Sequence, residues 1–251
     1  MPLTRSSSPP PAAMAAMMRR PLENVHLLGK TRMPGAEFLF DDEKPEAGLL
    51  AVIPAPRPGM PGFAVFSTGE RRTQMTLTAE VPAGEPRLWV MPSNLHQALA
   101  DMVDFGGGDQ GLVYTRDDRE PFPVRTARPF DTGDLAVLEA QRQVSPRALS
   151  SPDLRVKVFG VIDGGTWLAD GWAFPLFDGH WAIGNVYVRE DRRGQGLGHD
   201  VVAACANHIL QEGGQPVYEC VDRNVPSRRT AESLGFRVAA EYFEAMGVRR
   251  G

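Results

Sequence analysis

Lysine is nearly missing from this 251-residue chain: only Lys30, Lys44 and Lys157 occur, so arginine supplies almost all of the positive charge. We read that as a compositional bias and not a functional choice. A basic surplus is missing as well. A net charge of -4 and a pI near 5.8 exclude the usual electrostatic footprint of a nucleic-acid binder. Cysteine is scarce. Cys205 and Cys220 fall in a helix-like and a strand-like segment, and without a secretory signal they are expected as free thiols in the cytoplasm. Long apolar runs are lacking too. Ala12 to Met18 is too short to span a membrane, and Arg19-Arg20 follows it where a signal peptide would place basic residues before it. Neither nucleic acid nor membrane is therefore expected as a partner. What remains, 42% hydrophobic and 23% charged residues, is ordinary for a globular protein with a real core.

Residues 1–22, with Ser6-Ser7-Ser8 and Pro9-Pro10-Pro11, read as a disordered tail, and Met14, Met17 and Met18 are alternative start residues. Two halves follow, 23–120 and 121–251. In the first, Glu37 to Asp41, Gly48 to Ile53, Gly62 to Ser67 and Leu88 to Met91 read as strands, with the Pro/Gly-rich tract Pro54 to Gly62 between two of them. Thr73 to Val81 suits strand or helix. Pro92-Ser93-Asn94 caps an amphipathic run that Gly106-Gly107-Gly108 should end, and Leu112 to Thr115 suits a further strand. In the second half Val124 to Arg128 suits a strand, and Asp131 or Thr132 caps a helix from Leu135. Val156 to Ile162, Leu168 to Leu176 and Trp181 to Val188 read as consecutive strands. A helix to Leu210, a strand Pro216 to Val221, a short helix Asn224 to Leu234 and a last strand Phe236 to Met246 complete the order.

The stretch Arg193-Gly194-Gln195-Gly196-Leu197-Gly198 joins a strand to a helix start. Glycines remove the Cβ atoms that would block close approach, and the first N–H groups of a helix lack internal partners. Such a joint is an anion site, suited to a phosphate-bearing ligand.

Several residues around it carry a resemblance. Val186-x-Val188 ends just before Arg193-x-x-Gly196-x-Gly198. Asn224-x-x-Ser227 then precedes Ala231-Glu232-Ser233-Leu234-Gly235-Phe236. In this order, over roughly Val124 to Met246, the chain resembles the GNAT acyltransferase family. Val217 to Ser227 is further similar to a subset that includes antibiotic self-resistance acetyltransferases. The resemblance implies an α/β (α+β) GNAT fold, a mixed, mostly antiparallel sheet flanked by helices, with a smaller N-terminal α/β domain, in which a decayed GNAT copy is one possibility. It also implies acetyl-CoA as co-substrate. Backbone N–H groups of Arg193, Gly194, Gln195, Gly196, Leu197 and Gly198 would hold the pyrophosphate. Val186, Tyr187 and Val188 would meet pantetheine or the thioester carbonyl, Asn224 and Ser227 would meet the pantetheine arm, and Arg192, Arg228 and Arg229 could reach the remaining phosphates.

The implied activity is transfer of an acetyl group to a primary amine of a small molecule, by direct attack on the thioester. A homodimer is one expectation from the family. The pattern departs at one place, since Ala231 occupies the position where some members carry a tyrosine general acid. The attacking ammonium needs a base. Glu219, a carboxylate inside an apolar strand, is the candidate, with a salt bridge as the plain alternative. Tyr187 could present its hydroxyl to the same gap or equally pack in the core. Asp178 and His180 suit a turn or the border of an acceptor pocket. His199 and His208 lack the companions of a metal site, so no metal is expected. Cys220 lacks an activating histidine and suits a buried position.

Two rivals stay open. A dinucleotide-binding unit would also place Glu219 beyond a glycine turn, but Arg189 to Arg193 separates that turn from its strand and the third glycine is misplaced. A non-catalytic acyl-CoA sensor or scaffold would keep the turn and dispense with the tyrosine.

Overall fold

The computed structural model describes residues 2–31, 33–54, 63–143 and 156–251. Two compact units emerge. The first holds Met1–Leu112, Val221–Arg223 and Ala239–Gly251; the second holds Val113–Cys220 and Asn224–Val238. The first division thus falls at Leu112, upstream of the boundary expected after residue 120.

The first unit opens with β1 (Leu3–Ser6), α1 (Pro11–Met18) and α2 (Val25–Leu28). This corrects the expected tail. β1 pairs antiparallel with β2 (Glu37–Asp41), and Ala13 and Met17 of α1 are buried. The polar composition hid this, because the pairing partner lies some thirty residues on. Next come β3 (Gly48–Pro54), β4 (Phe63–Gly69), α3 (Arg71–Ala79), β5 (Pro86–Pro92), α4 (Ser93–Leu99), β6 (Val103–Phe105) and β7 (Asp109–Thr115). The ambiguous segment after Arg71 is therefore helix, with Thr73, Gln74, Leu77 and Thr78 on its buried face. The helix after Pro92 ends before β6, well ahead of the three glycines. Of the Pro/Gly tract, residues 55–62 lie outside the described residues. β2, β3 and β4 pair antiparallel, and β4 pairs parallel with β5 from Ala64/Leu88 to Phe66/Val90. Leu39, Leu50, Val65, Leu77, Trp89 and Leu99 pack into one core.

The second unit contains β8 (Arg128–Pro129), α5 (Thr132–Arg142), β9 (Lys157–Asp163), β10 (Thr166–Phe177), β11 (His180–Val188), α6 (Leu197–Gln211), β12 (Gln215–Val221) and α7 (Val225–Ser233). Its sheet runs β12-β11-β10-β9-β8. β11 and β12 are parallel and the other pairs antiparallel. The expected strand Val124 to Arg128 shrinks to β8. The N–H groups of Arg125, Thr126 and Ala127 are drawn instead to the Asp200 carboxylate at 2.7–2.8 Å. α5 starts as expected: Asp131 and Asp134 form a reciprocal capping box, and Arg128 grips Asp134.

α6 buries Val201, Val202, Cys205 and Ile209 against β10 and β11. Each such aliphatic side chain contributes roughly 1.5–3 kcal/mol on burial. The approach is so close that a Cβ on Gly171 would lie 2.6 Å from Val201 Cγ1. Side chains alternate across a strand, so Asp170 and Trp172 face the opposite side, where Arg142 and Leu138 of α5 meet them.

β13 (Arg237–Arg249) ends the chain. From Tyr242 to Val248 it pairs antiparallel with β5, and Gly247 to Arg249 also pair with β6, which is why the first unit claims residues 239–251. The two units repeat one topology: three antiparallel strands, a helix, a strand parallel to the third, and a helix. Among the described residues no helix is long and apolar enough to cross a membrane.

Candidate functional site

The parallel pairing of β11 with β12 runs from His180/Gln215 to Ile183/Tyr218 and stops. β11 continues to Val188 and β12 to Val221, so a gap opens between them with unpaired backbone on its rims. At its mouth a 3-10 turn, Glu190–Arg192, leads to the glycines. Gly194 has φ 78° and Gly196 φ 81°, a left-handed backbone that a side chain would strain, and a Cβ on either would meet nothing within 4 Å. The first intrahelical bond of α6 runs from Asp200 N–H to Gly196 O. The N–H groups of Leu197, Gly198 and His199 precede it and face the positive end of the helix dipole outward. Arg193 is exposed, and its 3.6 Å pair with Glu190 is a weak surface contact, free to yield to a phosphate. The cradle therefore has the space, donors and charge that a pyrophosphate needs.

Residues 158–244 match the family described as FR47-like protein. Solved structures share the fold over nearly the whole chain. The GCN5-related N-acetyltransferase of Kribbella flavida superposes with a TM-score of 0.61 at 16% identity, covering 96% of each chain. A GNAT-family acetyltransferase of Colwellia psychrerythraea gives 0.61 at 15%, covering 99% of this chain and 100% of its own. A tandem GNAT protein from the clavulanic acid biosynthesis pathway gives 0.59 at 13%, covering 98% of each. No curated protein matches. The chain has the fold of these GNAT structures, and residues 158–244 carry the FR47-like match.

Within this GNAT-type fold the expected residues fall in two places. Val186, Tyr187 and Val188 line one rim of the gap, and Arg193 to Gly198 form its mouth. Glu219 stands one residue past the last paired position of β12. Burial holds the Tyr218 phenol above its ordinary pKa, with a side-chain hydrogen bond from Ser227 opposing and the neighbouring Cys220 and Cys205 adding to the rise. Tyr218 and Cys220 thus share the α6 face, and alternation puts the half-buried Glu219 on the other, where Tyr187 meets Arg142. Asn224 caps α7, its side-chain oxygen accepting from Ser227 N–H at 3.3 Å. Arg192 stands exposed on the turn and Arg229 on α7, while Arg228 leans on Glu232 at 3.9 Å and on the Tyr114 hydroxyl.

Other candidates separate from the site. Asp178 and His180 join each other in the β10–β11 turn at 3.0 Å, at the far end of β11 from Val188, roughly 25 Å along the strand. They do not border the gap. His208 packs against Phe159 and Trp181, and burial lowers its pKa. Cys205 and Cys220 are buried thiols, and desolvation raises the former further from reactivity. Ala231 is fully buried.

The structure adds residues the sequence did not single out. β11 carries a bulge: Asp170 pairs with Tyr187 and Trp172 with Gly184, so Gly171 opposes both Asn185 and Val186. Asn185 takes φ 54° there. The Asp170 carboxylate, wholly buried, accepts from Arg142 Nη1 (2.6 Å), Trp172 Nε1 (2.9 Å) and Trp167 Nε1 (3.1 Å). A carboxylate in the apolar run of β10 was the available signal, the same one that flagged Glu219.

Proposed function

We propose that the chain is an acetyl-CoA-dependent N-acetyltransferase acting on a primary amine of a small molecule. The observation that carries this reading is the gap between β11 and β12, opening onto a glycine turn at a helix start. Pyrophosphate fits the turn, and the pantetheine arm fits the gap beyond it, with Asn224 and Ser227 at its side. The edge of residues 186–188 that faces away from β10 can hydrogen-bond the thioester oxygen where charge develops as the amine attacks. The nitrogen forms a bond to the carbonyl carbon, the C–S bond breaks, and CoA leaves as thiolate. Glu219, on the face that Tyr187 shares, takes the proton from the ammonium. With Ala231 offering no hydroxyl, the thiolate leaves unaided or takes its proton from water.

Ala231 also favours a second reading, in which acyl-CoA is bound and sensed without turnover. Thiol release from acetyl-CoA, followed across a panel of amines, separates the two. The enzyme reading expects turnover with at least one amine and none in Gly196→Val. Clean acetyl-CoA binding with no turnover on any amine supports the sensor.

A further inference from the structure

We propose that Arg142 is a positioning residue of the transfer site: held by Asp170, it locks the β11 bulge at Asn185 and the ring of Tyr187, and so sets the strand segment that faces the acyl group. The last step rests on the acyl-CoA reading above; the rest stands on geometry. Arg142 closes α5 and is almost entirely buried, its side chain 11% exposed. One guanidinium nitrogen donates to Asp170 and the other donates to Asn185 Oδ1 at 3.0 Å. Its Cζ lies 4.8 Å from the Tyr187 ring centre, and that ring stacks on Trp167 at 5.6 Å. A single group therefore touches both residues that flank Val186 on the rim.

A buried ion pair is a poor device for stability, since desolvation cancels most of its attraction and apolar side chains would fill the volume as well. What it supplies is direction. A forked, planar cation can reach a carboxylate and an amide oxygen at once while standing over an aromatic ring; a lysine ammonium cannot. Asn185 takes a left-handed backbone, which asparagine tolerates better than other residues with a side chain, and the bond from Arg142 holds its side chain in that turn. The bulge shifts the register so that Tyr187 and Val188 keep their pairing with Asp170 and Ala169 of β10 while their other edge faces the gap, where the pairing with β12 has stopped.

Amide hydrogen exchange on the full chain, with and without acetyl-CoA, tests this in Arg142→Gln, Arg142→Lys and Asn185→Gly. Each variant should exchange about tenfold or more faster at residues 185–188 while α6 keeps wild-type protection. Acetyl-CoA should still protect residues 194–198 in the variants but no longer protect 187 and 188. Asn185→Gly accepts the backbone angle and removes only the anchor, so it decides the matter if an Arg142 variant fails to fold. Wild-type exchange at 185–188 in Asn185→Gly, or full rescue by Arg142→Lys, would overturn the proposal. Should acetyl-CoA protect nothing in the wild type, the acyl-CoA reading fails, and the ligand-free exchange still decides whether Arg142 holds the bulge.

Discussion

Burial of the Asp170 carboxyl raises its pKa to about 6, because desolvation outweighs the opposing pull of Arg142 and the two indoles. Arg142 is the charged group against it from α5, and the Cys205 thiol lies near from α6. A carboxyl with a raised native pKa binds its proton more readily folded than unfolded. Its contribution to stability is therefore present in full below the unfolded value of 3.8 and is lost as pH rises through about 6. Since the titrating oxygens accept from Trp167 and Trp172, tryptophan emission should shift with a midpoint near pH 6, and Asp170→Asn should abolish that midpoint. A flat wild-type emission between about pH 5 and pH 7 would contradict the assignment.

Gly196 is the other residue on which the account turns. Valine there strains a φ of 81° by roughly 1–3 kcal/mol and places a side chain in the open space of the cradle. Gly107 has φ 97° and equally open surroundings. Gly107→Val should thus cost a similar loss of thermal stability yet leave acetyl-CoA affinity unchanged, as isothermal titration and a melting curve on each variant would show.

At the scale of elements, Asp200 ties the chain ahead of α5 to the first turns of α6. Desolvation raises its pKa, but N–H bonds from Arg125, Thr126 and Ala127 and the Thr126 hydroxyl outweigh that and lower it overall. A depressed carboxyl supplies stability above its unfolded pKa that is lost as pH falls through the folded one. Asp200→Ala strands three backbone donors and should cost about 2–4 kcal/mol in urea unfolding at neutral pH. Asp200→Asn keeps one acceptor and should lose less, while flattening the acid limb. Equal stability of Asp200→Ala and the wild type would contradict this role.

The same element shows where reading a sequence stops. Strands β9 to β12, the capping box and the glycine turn announce themselves within short windows, through alternation, cap spacing and φ demands. Val124 to Arg128 reads as a strand, but the N–H groups of Arg125, Thr126 and Ala127 are claimed by a carboxylate 73–75 residues away. Arg142 and Asp170 stand 28 residues apart, and no local pattern joins them. The bulge at Asn185 exists only in the register between β10 and β11. In the site, then, the glycine turn at the start of α6 was legible and the supports of the rim were not.

At the scale of the molecule, one topology occurs twice. In the first unit β4 pairs with β5 and separates beyond Phe66/Val90 as β11 and β12 do beyond Ile183/Tyr218. The joint differs. β4 passes through Glu70 alone into α3, with a carboxylate where the second unit has glycines, and the residue N-terminal to α3 repels the charge that α6 attracts. We read the first unit as a copy of the fold without the anion turn, so the chain should hold one acyl-CoA. Titrating the full chain with acetyl-CoA by calorimetry tests this directly. One equivalent bound, and none in Gly196→Val, is the predicted result; two equivalents, or undiminished binding in Gly196→Val, would contradict it.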